Sequence, residues 1–96
     1  MLPRDYFIFT IGYDGPSAVV DNQARRRYGS LSTEALADLG FFRAAYSSAI
    51  YSGNKEEKTL VIKKYNKAAG TSYGPEDSLD RLFGVFPTAV KRAILI

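Results

Sequence analysis

Residues 41–69 read FFRAAYSSAIYSGNKEEKTLVIKKYNKAA. Phe42, Ala45, Tyr46, Ala49 and Ile50 recur at helical spacing and form one apolar stripe. Gly53 stands where a left-handed residue closes a helix. Asn54 and Glu57 then resemble a capping box opening a second helix that runs to about Ala69. Its stripe is Val61, Tyr65 and Ala68, widened by Leu60 and Ile62. Two helices joined by Ser52-Gly53-Asn54 predict an antiparallel αα-hairpin at the centre of the fold.

Upstream, glycines punctuate further helical segments. Asp21 or Asn22 can cap a short helix through Tyr28, ended by Gly29. Ser32 is a suitable N-cap for the next one, with Leu31 and Leu36 placed as a hydrophobic staple and Glu34 in the first turn. Gly40 closes that segment.

The N-terminal part reads differently. Asp5 to Ile11 is rich in aromatic and β-branched residues, with Phe7, Phe9 and Ile11 alternating with Ile8 and Thr10, and predicts a strand. The turn signal Gly12-Tyr13-Asp14-Gly15-Pro16-Ser17 follows, then Ala18-Val19-Val20 as a second short strand. A β-hairpin is the simplest account.

Downstream, Gly74-Pro75-Glu76-Asp77 is a helix start, and Leu79, Leu82, Phe83 and Phe86 supply the buried stripe behind it. Residues 88–96 fit a helix or a strand. An uncapped apolar end fits better as a strand beside the hairpin. The expected class is therefore α+β: an N-terminal β-hairpin, with a C-terminal strand able to join it, packed on three to four short helices that include the central αα-hairpin. At 96 residues, with no internal repeat or long linker, the chain is expected to be one small globular domain, residues 1–96.

Composition narrows the chemistry. The sequence contains neither cysteine nor histidine. Disulfides, thiolate nucleophiles, zinc sites and histidine-based triads all need one or the other. The carboxylates Asp5, Asp14, Asp21, Glu34, Asp38, Glu56, Glu57, Glu76, Asp77 and Asp80 offer no acid–base pair that spacing singles out. No catalytic residue, cofactor or metal is expected, and the chain is read as no enzyme. The opening residues lack the basic start and apolar run of a signal peptide, and no stretch approaches a membrane span. Together with the missing cysteines, this points to the cytoplasm.

What remains is binding. Seven Tyr and six Phe exceed what the helical stripes need, and Tyr13, Tyr28, Tyr51 and Tyr73 lie at segment ends or off those stripes. Tyrosine is enriched at protein interfaces, so these four are candidate contacts for a protein partner or a second copy. The alternative is a nucleic-acid-binding module. Arg25, Arg26 and Arg27 beside Tyr28, and Lys63, Lys64 and Lys67, are candidate phosphate contacts in a chain of net charge +3. That reading needs both clusters on one face, and three consecutive helical residues fan around the axis rather than forming one patch. A solvated surface turn and a solvated helix face are the better accounts of the two runs. A helix-turn-helix around Gly40 fits loosely, because the exposed face expected of the second helix carries only Arg43, Ser47 and Ser48 for base readout. Gly12-Tyr13-Asp14-Gly15 lacks the ending and spacing of a phosphate-binding loop, and a hairpin turn explains it.

Overall fold

The computed structural model describes residues 2–74, 77–85, 90 and 92–96. Within them the chain runs α1 (Arg4–Ile8), β1 (Thr10–Asp14), β2 (Ser17–Val20), α2 (Asn22–Tyr28), α3 (Thr33–Asp38), α4 (Phe42–Ser52), α5 (Lys55–Ala69), α6 (Asp80–Phe83) and β3 (Arg92–Leu95). The class is α+β, as the sequence predicts.

The first strand is displaced from its expected place. Residues 4–8 form a helical turn and a half, and the hairpin begins only at Thr10. Tertiary contacts override the alternation here. The guanidinium of Arg4 donates to the Gly29 carbonyl at 3.0 Å, the Leu31 carbonyl at 2.7 Å and Ser48 Oγ at 2.8 Å. Asp5 pairs with Arg25 at 2.9 Å. A helical turn delivers Arg4 and Asp5 to these partners while Phe7 and Ile8 enter the core.

The hairpin turn is tighter than its six-residue signal suggests. Asp14 pairs with Ser17, leaving only Gly15 and Pro16 in the loop. Gly15 adopts φ 58°, a conformation that glycine reaches without Cβ strain, at the first loop position of a primed hairpin turn. The register shifts between Thr10 and Gly12, which leaves Ile11 at a bulge. β3 joins the other side of β2, so the order is β1-β2-β3. It runs parallel to β2, pairing Ser17 with Arg92, Ala18 with Ala93, Val19 with Ile94 and Val20 with Leu95. The sheet is thus mixed, because the helical part of the chain forms the crossover between β2 and β3.

The predicted αα-hairpin is present. Asn54 Oδ1 accepts the amides of Glu56 and Glu57 at the start of α5, and Gly53 closes α4 at φ 68°. Glu57 does not complete the capping box; its carboxylate accepts the Ser52 hydroxyl. Ser32 Oγ caps α3 by accepting the Ala35 amide, and Asp21 caps α2 by accepting that of Ala24. The expected helix start at Pro75 and Glu76 and the stripe position Phe86 lie outside the described residues. Of the stripe's other members, Leu79 is buried and Leu82 is exposed.

α3, α4 and α5 pack on one another, and α1 packs on α4, α2 and β2, linking the sheet to the helices. Tyr46, Ile8, Leu36, Ile62, Val20 and Val61 are the largest fully buried apolar side chains. α4 is buried over Ala44–Ala49 without a break, so Ser47 and Ser48, expected on an exposed face, are interior. Ser48 Oγ meets Thr33 Oγ1 at 2.7 Å and accepts from Arg4, which satisfies the hydroxyl away from water. A helix enclosed in this way presents no polar face to a DNA groove, which removes the helix-turn-helix reading.

Candidate interaction surfaces

The arginine run divides by function. Arg25 is half-buried and held by partners, contrary to the surface-turn expectation. Its Nη1 reaches Asp5 at 2.9 Å, its Nε and Nη2 both donate to Asn22 Oδ1, and its guanidinium carbon lies 4.6 Å from the centre of the Tyr6 ring. These contacts staple α2 to α1. Arg26 and Arg27 are exposed. In the lysine run, Lys64 Nζ donates to Asp38 at 2.6 Å, and this hydrogen bond holds its ammonium above the ordinary lysine range. Lys63 and Lys67 are exposed. α2 packs on α1, whereas α5 packs on α3 and α4.

Tyr28 meets Phe41 edge-on at 4.8 Å, Tyr51 lies 5.7 Å from Phe7, and both pack against the core, as Tyr13 does. Tyr73 is exposed, with its backbone held at both ends by Asn66: the side-chain amide donates to the Tyr73 carbonyl and Oδ1 accepts its N–H. Three of the four tyrosines therefore spend much of their area inside the fold. Among the described residues the large apolar side chains left exposed are instead Ile11, Leu39, Leu82, Ile94, Leu95 and Ile96, together with Tyr73.

Three of these lie at the end of the sheet. Ile94 is 39% exposed, Leu95 45% and Ile96 66%. Among the described residues no strand covers the far side of β3, so its outward backbone groups form a free edge, flanked by Ile94 on one face of the sheet and Leu95 on the other. Nothing in residues 92–96 taken alone reveals this. The apolar run Ala93-Ile94-Leu95-Ile96 is legible, but the partner strand and the register are not.

The sheet also has a face turned away from the helices. Ala18 and Val20 point inward, fully buried. Strand alternation sends Ser17 and Val19 to the opposite face, with their pairing partners Asp14, Gly12, Arg92 and Ile94. Asp14, Arg92 and Ile94 are exposed there. A Cβ added to Gly12 would meet no heavy atom of the described residues within 4 Å, so among them the space above it is open.

A cavity of about 430 Å³ opens between the start of β1, α2 and the first turn of α4, walled by Ile8, Phe9, Ile11, Tyr28, Phe41 and Arg43. Arg43 Nη2 donates to the Gly84 carbonyl at 3.3 Å, while its Nε is shielded and has no acceptor among the described residues. Burial pulls the Arg43 guanidinium below its ordinary range, and nearby Tyr13 opposes that shift. Among the described residues no group of three or more acidic side chains converges to hold a metal ion, and no helix is long and apolar enough to cross a membrane.

No protein-family model, no curated protein and no solved structure matches this chain.

Proposed function

We propose that the protein is a non-catalytic binding module that engages another protein by accepting an extended segment along the free edge of β3. The observation that carries this reading is the edge itself, with Ile94, Leu95 and Ile96 exposed beside strand backbone that no other strand pairs among the described residues. Soluble proteins usually blunt such an edge with charge, proline or a covering loop. An added strand would gain main-chain hydrogen bonds from the edge and side-chain selectivity from the apolar residues. The absence of cysteine and histidine from the sequence supports binding over catalysis.

The test is to pan a library of short extended peptides against the chain and measure the best binders by calorimetry. Binding should slow amide exchange in β3 and should fall at least about tenfold in Leu95→Lys, through loss of apolar contact and burial of a charge. Failure to select any peptide, or a bound peptide that leaves β3 exchange unchanged, would reject the edge as the binding site.

A further inference from the structure

We propose that the outer face of the sheet is a self-complementary surface through which two copies of the chain associate. The inference goes beyond the edge-strand reading, because it uses the face of the sheet rather than its margin.

The argument starts from register. Asp14 pairs with Ser17, and Ser17 with Arg92. Across this row the exposed carboxylate of Asp14 and the exposed guanidinium of Arg92 stand on either side of Ser17, which is itself buried. The next row is Gly12, Val19 and Ile94. It carries an apolar side chain on β3, another on the middle strand, and an open notch above Gly12 on β1. Neighbouring strands stand about 4.8 Å apart, so each row spans about 10 Å.

A twofold axis running along β2 between two such faces exchanges β1 and β3 while keeping each row at its own height. Asp14 of each copy then lies opposite Arg92 of the other, twice. Ile94 enters the notch over the other copy's Gly12, also twice, and Val19 meets its own image on the axis. Charge and shape are satisfied by one operation, as an isologous interface requires. The strands of the two sheets remain aligned, within the ordinary class of face-to-face packing at about 10 Å. Within the chain Arg92 leans toward the middle strand, its Nε donating to Ser17 Oγ at 3.1 Å. Three strands of four or five residues offer far less than the ~800 Å² per partner of a standard interface, so the dimer is weak and concentration-dependent.

Sedimentation equilibrium of the full chain up to about 1 mM tests this. A monomer–dimer equilibrium is expected, weakened by added salt. Asp14→Arg or Arg92→Asp should each weaken it at least about tenfold by setting like charges opposite one another. The double variant D14R/R92D exchanges the charges and should return to within about threefold of the parent, because both pairs are restored in reverse. Gly12→Leu fills the notch, where a Cβ meets no atom of the described residues, and should weaken dimerisation while circular dichroism stays unchanged. A chain monomeric throughout the range would overturn the proposal. So would a dimer indifferent to both charge reversals and to Gly12→Leu, or one lost in Leu95→Lys but kept in Asp14→Arg, which would place the contact at the β3 edge.

Discussion

The hydroxyl of Tyr46 donates to Asp80 Oδ1 across 2.6 Å and accepts the Leu79 amide at 3.0 Å. One fully buried side chain on α4 thereby anchors the start of α6, while its ring packs 5.2 Å from Phe83. Tyr46→Phe keeps the ring and deletes the hydroxyl, leaving the buried Leu79 amide without its acceptor. A loss of about 1–3 kcal/mol in urea unfolding is expected. Tyr46→Ala, which also opens a cavity, should cost about 3–5 kcal/mol.

The same hydroxyl makes stability depend on alkaline pH. Burial first, then the hydrogen bond to Asp80, pushes the Tyr46 pKa up from 10.0 to about 12. The folded state therefore keeps the proton over a range in which the unfolded chain has released it. The contribution is fully present below about pH 10 and is lost as pH rises toward 12. Urea midpoints measured from pH 8 to pH 11 should fall more steeply for the parent chain than for Tyr46→Phe, which lacks the titrating group. Parallel curves would show that Tyr46 ionises alike in both states.

Arg25, Arg26 and Arg27 should separate cleanly under alanine substitution. Arg25→Ala removes the Asp5 pair, the Asn22 contacts and the cation over Tyr6, and should cost about 1–2 kcal/mol. Arg26→Ala and Arg27→Ala should stay within about 0.5 kcal/mol. Thermal melts of the three variants decide this, and equal losses at all three positions would contradict the packing of α2 on α1.

Gly29→Ala should destabilise by about 1–3 kcal/mol through overpacking. Gly29 is right-handed at φ −65°, not the left-handed closure its position after α2 predicts. Its need for hydrogen is steric: a Cβ would collide with the Arg25 carbonyl oxygen and come within 3.0 Å of Asp5 Cβ. A neutral Gly29→Ala in chemical denaturation would mean that α1 and α2 can move apart at no cost.

Labelled single- and double-stranded DNA and RNA should bind weakly. Arg25 and Lys64 already have carboxylate partners within the chain. Anisotropy titrations at about 50 and 200 mM salt should show no steep loss of affinity, since a steep slope requires many phosphate contacts made together. Micromolar binding with a steep slope would instead favour the nucleic-acid reading, with Arg26, Arg27, Lys63 and Lys67 as the first positions to change.

The sequence by itself determined the elements whose signals are local. Asp21, Ser32 and Asn54 accept amides at the helix starts where their side chains belong, and Gly40 and Gly53 follow helices with positive φ. Caps and turns of this kind act within a few residues, so spacing reveals them. Tertiary structure alone decided the rest. Asp5 to Ile8 open a stretch that reads as a strand, yet residues 4–8 coil to bring Arg4 under Ser48, 44 residues away. Ser47 and Ser48 look like surface and lie inside. The outer-face row of Asp14, Ser17 and Arg92 joins residues whose numbers differ by up to 78. A strand's register follows from what its partner buries, and a polar side chain's burial from whether a distant group satisfies it. Neither is written in local spacing, and both candidate interaction surfaces depend on them.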